Sequence, residues 1–379
     1  MTPETNPRID ADFPGGNIVV ESIDGDDVLL HQDLRDTEGD WFYWYFRVGG
    51  AAGRTLRFRF TASPAIGVRG PAMSRDDGRT WCWLGAECVE ENGFSHTFAE
   101  EDGEVRFSFG MPYLQRKLDA FLSAHADNEL LRREVLCRSR AGREVELLRV
   151  GRADSQPRCR VLITCRHHCC EMMAGYALEG LLDEVLRGGQ GTSWLAENAQ
   201  ILAVPFVDKD GVEEGDQGKN RRPRDHNRDY AGESIYPETA AIRHMAAEWP
   251  SGELRLALDL HCPSISGKHN EDIYLVGSPD ECIWEQQQRF GEVLESVVQG
   301  PLPYRTENNM PFGEAWNTGR SFEQGKSFAT WAGEKDGVQM ASTIEIPYAN
   351  AGGEEVNQQT ARRFGRDLAR ALEEYLRQV

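Results

Sequence analysis

The chain has 379 residues, 40% hydrophobic and 27% charged, with a formal net charge of −20. That length exceeds one ordinary core and predicts two domains, and the composition argues against a disordered chain. The acidic balance argues against binding nucleic acid or anionic lipid, because the long-range field repels phosphates. Nine cysteines lack the spacing of a disulfide scaffold, Met1 to Gly15 is polar, and no run of roughly 18 apolar residues occurs. These features predict reduced thiols, a cytoplasmic location and no membrane segment.

The first 110 residues read as short strands separated by turns. Strands are predicted over Asn17–Ile23, Asp27–Gln32, Trp41–Val48, Thr55–Ser63, Trp81–Leu84 and Glu104–Phe109. Runs such as Leu56-Arg57-Phe58-Arg59-Phe60 alternate apolar and polar residues, as half-buried antiparallel strands do. The aromatic run Trp41 to Phe46 would then place half its rings in a core and half in an exposed patch or a domain interface.

From Pro112 the texture changes to a helical stretch (Leu118, Phe121, Leu122, Leu130, Leu131), then to β-rich runs alternating with helical periodicity. Buried-type strands are predicted over Arg160–Cys165, Gln200–Phe206, Leu254–Leu260, Asp272–Val276 and Ser342–Ile346. A helix is expected over Met172–Leu186, and Phe364, Leu368, Leu372, Tyr375 and Val379 stripe a C-terminal helix. The expected fold is α/β, a mixed central sheet flanked by helices (112–379), preceded by a small antiparallel β-sandwich domain (1–111).

The strand ending at Cys165 runs into Arg166-His167-His168-Cys169-Cys170-Glu171 and then into a helix, at the strand end where open α/β sheets collect ligands. His168 and Glu171, at i and i+3, can converge on one ion, and a later strand ends on His261. Two histidines and a carboxylate form the three-ligand set of a catalytic zinc, with one position left for water. Between them Gly218 to Tyr230 is dense in arginine, suited to an anionic terminus or a carbonyl; a solvated basic loop is the plainer alternative. Glu345, alone in the apolar strand Ser342–Ile346, has the surroundings that raise a carboxyl toward a useful general base, or it makes a structural ion pair.

In this order the signals resemble the zinc metallocarboxypeptidase family: H-x-x-E after a strand, an arginine followed by D-x-N-R, a strand-terminal histidine, and a late T-x-E. Trp41 to Val48, Ser74 to Trp81 and Met111-Pro112-Tyr113 resemble the sandwich of its cytosolic carboxypeptidase branch. The resemblance implies one Zn²⁺ per chain on His168, Glu171 and His261, with Asp225 orienting His168. It implies Asn227 and Arg228 as the clamp on a substrate's terminal carboxylate, Arg221 or its neighbour Arg222 as the group polarising the scissile carbonyl, and Glu345 as the base. The implied substrate is a peptide or protein C-terminus, joined by a peptide or isopeptide bond. Lys326, or Arg320 before it, stands where it would select an acidic last residue.

The chain departs from the family pattern in several places. Cys169-Cys170 separate the first two ligands, Val207-Asp208-Lys209-Asp210-Gly211 replaces N-P-D-G, and Phe322 stands where pancreatic-type members carry a mobile tyrosine. Two other readings are weighed: a zinc amidohydrolase acting on small N-acyl amino acids, like aspartoacylase or succinylglutamate desuccinylase, and a non-catalytic binding protein on the same fold.

Overall fold

In Thr55–Phe60 the side chains of Leu56, Phe58 and Phe60 are buried while Thr55 and Arg59 are exposed, the period of two that a single core face imposes. This strand belongs to the first of three main sheets in a computed structural model that describes residues 7–63, 65–152, 156–188, 193–265, 267, 269–322 and 324–379. Its sheet has the order Val19–Asp24, Asp27–His31, Thr55–Phe60, Gly93–Thr97, Val89–Glu90. The facing sheet has the order Arg8–Asp10, Tyr45–Gly49, Val105–Ser108, Ala72–Ser74, Cys82–Trp83. Phe46 packs on Phe58 and Phe107, and Phe58 on Phe94, so the two sheets share an aromatic core. The sandwich is not wholly antiparallel, because Asp27–His31 and Thr55–Phe60 pair in parallel.

The aromatic run has no exposed half. Trp44 and Phe46 enter the sandwich core, while Phe42 packs with Phe109 against Tyr348 of the second unit. Tyr43 donates its hydroxyl to the Gly15 carbonyl, and its backbone N–H donates to Gln217. Both faces of the run are buried because the sandwich docks on the larger sheet, and one apolar core continues from one to the other.

That larger sheet is seven-stranded and mixed, in the order Leu131–Arg138, Glu144–Val150, Ala199–Val204, Cys159–Cys165, Leu254–His261, Met340–Glu345, Tyr274–Val276. The four from Ala199–Val204 to Met340–Glu345 are parallel, and the other three pairings are antiparallel. The chain leaves Cys159–Cys165 for a neighbour on one side and then crosses to Leu254–His261 on the other. The carboxyl ends of these two strands therefore open the crevice that receives ligands in such sheets.

Helices Met172–Arg187 and Gln358–Gln378 cover one face, crossing closely at two glycines. A Cβ on Gly180 would lie 2.0 Å from the Arg362 carbonyl oxygen, and one on Gly365 1.9 Å from that of Ala177. Phe364, Leu368, Leu372 and Tyr375 form the buried stripe, whereas Val379 lies past the helix end and is exposed. The helix after Pro112 is shorter than its pattern suggests, spanning Gln115–Ala124; Leu131 instead begins the edge strand, where Leu131 pairs with Val150.

Candidate active site

Arg166 turns the chain out of strand Cys159–Cys165 with φ 62°. Its buried guanidinium donates to the carbonyls of Tyr113 and Cys169, at 2.7 and 2.9 Å, which folds His168 to Glu171 back over the strand end. His261 ends its own strand and pairs in register with Glu345, the last residue of Met340–Glu345. Four functional side chains thus come from three adjacent strand ends.

The donor atoms converge on one point. His168 Nδ1 lies 2.9 Å from Glu171 Oε1 and His261 Nδ1 lies 2.7 Å from Glu171 Oε2. The outer nitrogens are held by carboxylates: His168 Nε2 is 3.0 Å from Asp225, and His261 Nε2 is 2.6 Å from Asp259. A proton on each Nε2 serves those contacts, so Nδ1, whose proton faces Glu171 in the metal-free protein, is the atom each ring could offer to a metal. Glu171 Oε2 is fully buried yet accepts no hydrogen bond of good geometry, despite its short approach to His261. An orphaned carboxylate oxygen facing two imidazole nitrogens is the donor set a divalent ion takes, and these three residues fit zinc in kind and number.

A second group, His167, Asp259 and His261, is also close enough for a metal. Its atoms are already engaged, since His167 Nδ1 bonds Asp259 at 2.8 Å, His167 Nε2 bonds the Tyr230 hydroxyl at 2.7 Å, and Thr164 donates to Asp259. We read it as a hydrogen-bond network that orients His261. The sequence pattern gave His167 and Asp259 no part. Asp259 had a legible signal, because residues two apart on a strand share a face with the histidine that ends it.

Charge in the cluster follows from these pairings. Burial alone would lower the pKa of His168 and His261, yet Asp225, Asp259 and Glu171 raise both above the ordinary imidazole value. Burial opposes ionisation of Asp225, and the His168 ring nevertheless holds it below the carboxylate range. A metal must displace protons from both Nδ1 atoms, so metal uptake is expected to release protons and to weaken as pH falls. Competition with a chelating dye at about pH 6 and about pH 8, with proton release followed in weak buffer, measures this.

Glu345 is buried and its Oε2 has no hydrogen-bond partner. Burial, then the nearby Glu171 charge, pushes its pKa up to about 7. It lines a cavity of about 90 Å³ together with His168, His261, Asn227 and Arg228. Among the described residues the rest of the lining is uncharged, including Val276, Gly277, Trp316, Ala329, Thr330 and Ala341. Gln287 and Asn317 also line it, but their amide N–H groups already serve Ala341, Val276 and Gly277 carbonyls.

Asn227 and Arg228 sit on a short helical turn, His226–Arg228, capped by the Asp225 side chain. Asn227 Oδ1 accepts from Phe328 N at 2.9 Å, which ties the turn to the chain beside the cavity, and its amide nitrogen lies 3.2 Å from His261 Nε2. Arg228 donates one N–H to the Asn227 carbonyl and lines the cavity.

The other expected cations lie elsewhere. Arg221 is surrounded by Asp208 at 2.7 Å, Asp216 at 2.9 Å and Asp36 at 3.5 Å, and Arg222 pairs with Glu38 at the surface. Neither lines the cavity. Lys326 is held 2.6 Å from both oxygens of Glu334, also outside that lining, so the acid-selecting position assigned to it is occupied by an internal ion pair. Arg320 lines a neighbouring open pocket that shares Arg228 and Trp316 with the cavity, and the side chain of Phe322 lies outside the described residues. Cys169 and Cys170 are buried with thiols raised by burial, which suits packing and not ligation.

The cation that reaches the donor cluster is Lys219, whose Nζ lies 2.7 Å from Glu171 Oε1. Burial disfavours its charge, but Glu171 outweighs that and raises its pKa.

No protein-family model matches the chain. It is 28% identical over 274 residues to cytosolic carboxypeptidase 2 of Xenopus tropicalis, covering 67% of this chain and 26% of that one. It is 27% identical over 202 residues to cytosolic carboxypeptidase 3 of Bos taurus, covering 50% and 20%. An uncharacterized protein of Zymomonas mobilis is 25% identical over 246 residues, covering 62% and 63%. The chain thus spans about a fifth to less than two thirds of the length of these relatives. In three dimensions it matches a metallo-carboxypeptidase from Burkholderia cenocepacia with TM-score 0.80 and 20% identity over 99% of this chain and 100% of that one. A metallo-carboxypeptidase from Pseudomonas aeruginosa matches with TM-score 0.75 and 22% identity over 98% and 99%. The chain has the metallo-carboxypeptidase fold and is related in sequence to the cytosolic carboxypeptidases.

Proposed function

We propose that this protein is a zinc metallocarboxypeptidase that removes the last residue of peptides or proteins, acting in the cytoplasm. The observation that carries the reading is Glu345, whose buried Oε2 has no hydrogen-bond partner and which lines one cavity together with His168 and His261 of the donor cluster and with Arg228. Zinc on those three residues would supply Lewis acidity at the scissile carbonyl and a nucleophilic water near neutral pH. Arg228 binds the terminal carboxylate, and the neutral wall receives the last side chain. Glu345 accepts a proton from the attacking water as the water oxygen bonds the carbonyl carbon and the C=O π pair moves onto oxygen. Collapse of that adduct breaks the C–N bond, and Glu345 passes its proton to the leaving amine. Asp225 and Asp259 keep the two rings oriented throughout.

A wall without a cation beyond the carboxylate anchor favours an uncharged last residue over an acidic one, since a buried carboxylate without a partner is costly. The test is zinc-loaded protein on peptides that differ only in their final residue, beside N-acyl amino acids. Release of Leu, Phe or Gln at rates about tenfold or more above Glu and Asp, abolished by chelator, is the expected result. Turnover of the N-acyl amino acids alone would sink the reading in favour of an amidohydrolase, and no turnover with no bound metal would favour a binding protein.

A further inference from the structure

The loop from Asp216 to Arg221 is held by the sandwich. Asp36 accepts from the backbone N–H groups of Gln217 and Gly218 at 3.0 and 2.9 Å, and the Thr37 hydroxyl donates to the Lys219 carbonyl. Arg221, the cation expected to act at the substrate carbonyl, is locked among Asp36, Asp208 and Asp216. Gly218 brings the loop against the ligand turn: it has φ +78°, and a Cβ there would meet Cys169 N at 2.5 Å and His168 Cα at 3.1 Å. The following side chain, Lys219, crosses to the donor cluster, 2.7 Å from Glu171 Oε1 and 3.3 Å from the Cys262 carbonyl, with the Trp41 ring 5.6 Å from its ammonium.

We propose that Lys219 is the catalytic cation of this site, its ammonium donating to the carbonyl oxygen as negative charge develops there, in the place assigned to Arg221. The proposal rests on the carboxypeptidase reading above. Lys219 lies beside the donor cluster and outside the lining of the cavity that seats the last side chain, which is where the scissile carbonyl must lie if Arg228 holds the terminus. Its backbone is anchored on both sides, so the ammonium is preorganised. A mere counter-ion for Glu171 is the competing account.

The two accounts separate on zinc-loaded Lys219→Met and Lys219→Arg, with zinc content and thermal midpoint confirming folded, loaded protein. A phosphonate peptide, whose tetrahedral oxyanion imitates the adduct, and free L-phenylalanine, which engages only anchor and pocket, serve as probes. Lys219→Met is expected to lose about 10²–10³-fold in kcat and comparably in phosphonate affinity, with L-phenylalanine binding unchanged. Lys219→Arg is expected to recover most of both. Unchanged phosphonate affinity in Lys219→Met, with zinc affinity altered instead, would overturn the proposal and leave a counter-ion. Wild-type protein that binds zinc but cleaves no peptide would overturn the carboxypeptidase reading itself, and the phosphonate measurement still decides the role of the lysine.

Discussion

Glu345→Gln is expected to lower kcat about 10²–10⁴-fold while zinc content and KM stay near wild type. The substitution keeps the shape of a buried residue but removes the carboxylate proposed to take and return the proton. Its surroundings explain why it suits that work: burial and the Glu171 charge raise it to about 7 in the metal-free protein, and Oε2 spends itself on no hydrogen bond. On the proposed mechanism the base acts as carboxylate, so kcat/KM should rise with pH through its pKa and fall below it. A divalent ion in the donor cluster favours the charged form and moves that pKa down, which places the midpoint of the acid limb at or below about 7. A pH profile of wild type beside the residual rate of Glu345→Gln checks both statements, and a variant with near-normal kcat would remove Glu345 from the chemistry.

The second large effect belongs to Arg228. Arg228→Gln is expected to weaken kcat/KM for peptides with a free C-terminus by a factor of roughly 30 to several thousand, the loss of one partner of a desolvated charge pair. The informative comparison is with the same peptides amidated at the C-terminus. Wild type should reject the amides strongly, because they leave the guanidinium unpaired in the cavity, and Arg228→Gln should reject them little. If both proteins cut free and amidated peptides alike, the anchor lies elsewhere. Asn227 is a weaker lever, since its side chain already links Phe328 to the neighbourhood of His261 and its loss would first disturb the turn.

The sandwich gains a role from its contacts. Asp33, Asp36, Thr37 and Glu38 all touch Asn17 or the Asp216–Arg222 segment, so the loop carrying Lys219 is shaped by residues roughly 180 positions earlier in the chain. No helix among the described residues is long and apolar enough to cross a membrane.

Much of the frame was determined by the sequence alone. An apolar run four to seven residues long, followed at once by His or Glu, states both that a parallel strand is buried and that its carboxyl end is polar, because a side chain at a strand end leaves the core with the backbone. That reasoning reaches His261 directly and His168 three residues beyond its strand; Glu345 stands out instead as a lone acid inside its strand, and Asp259, two residues before His261, is passed over. Local pattern also specified the strands at Thr55–Phe60 and Leu254–His261 within a residue or three at their ends.

Tertiary structure decided what each cation does. Arg221, Arg222, Lys219, Arg228 and Lys326 carry the same sign, and composition cannot say which lines the cavity, which reaches the donor cluster and which is spent on an internal ion pair. Arg221 is held by Asp36, Asp208 and Asp216, scattered over 180 residues, and Lys326 by Glu334. Lys219 reaches Glu171 through a glycine at positive φ and an anchor in another sheet system, which is the basis for proposing it as the cation at the carbonyl. The site that opened as two histidines, a carboxylate and a late glutamate therefore keeps its strand-end logic. Which cation reaches the donor cluster is a matter of long-range packing that no local pattern encodes.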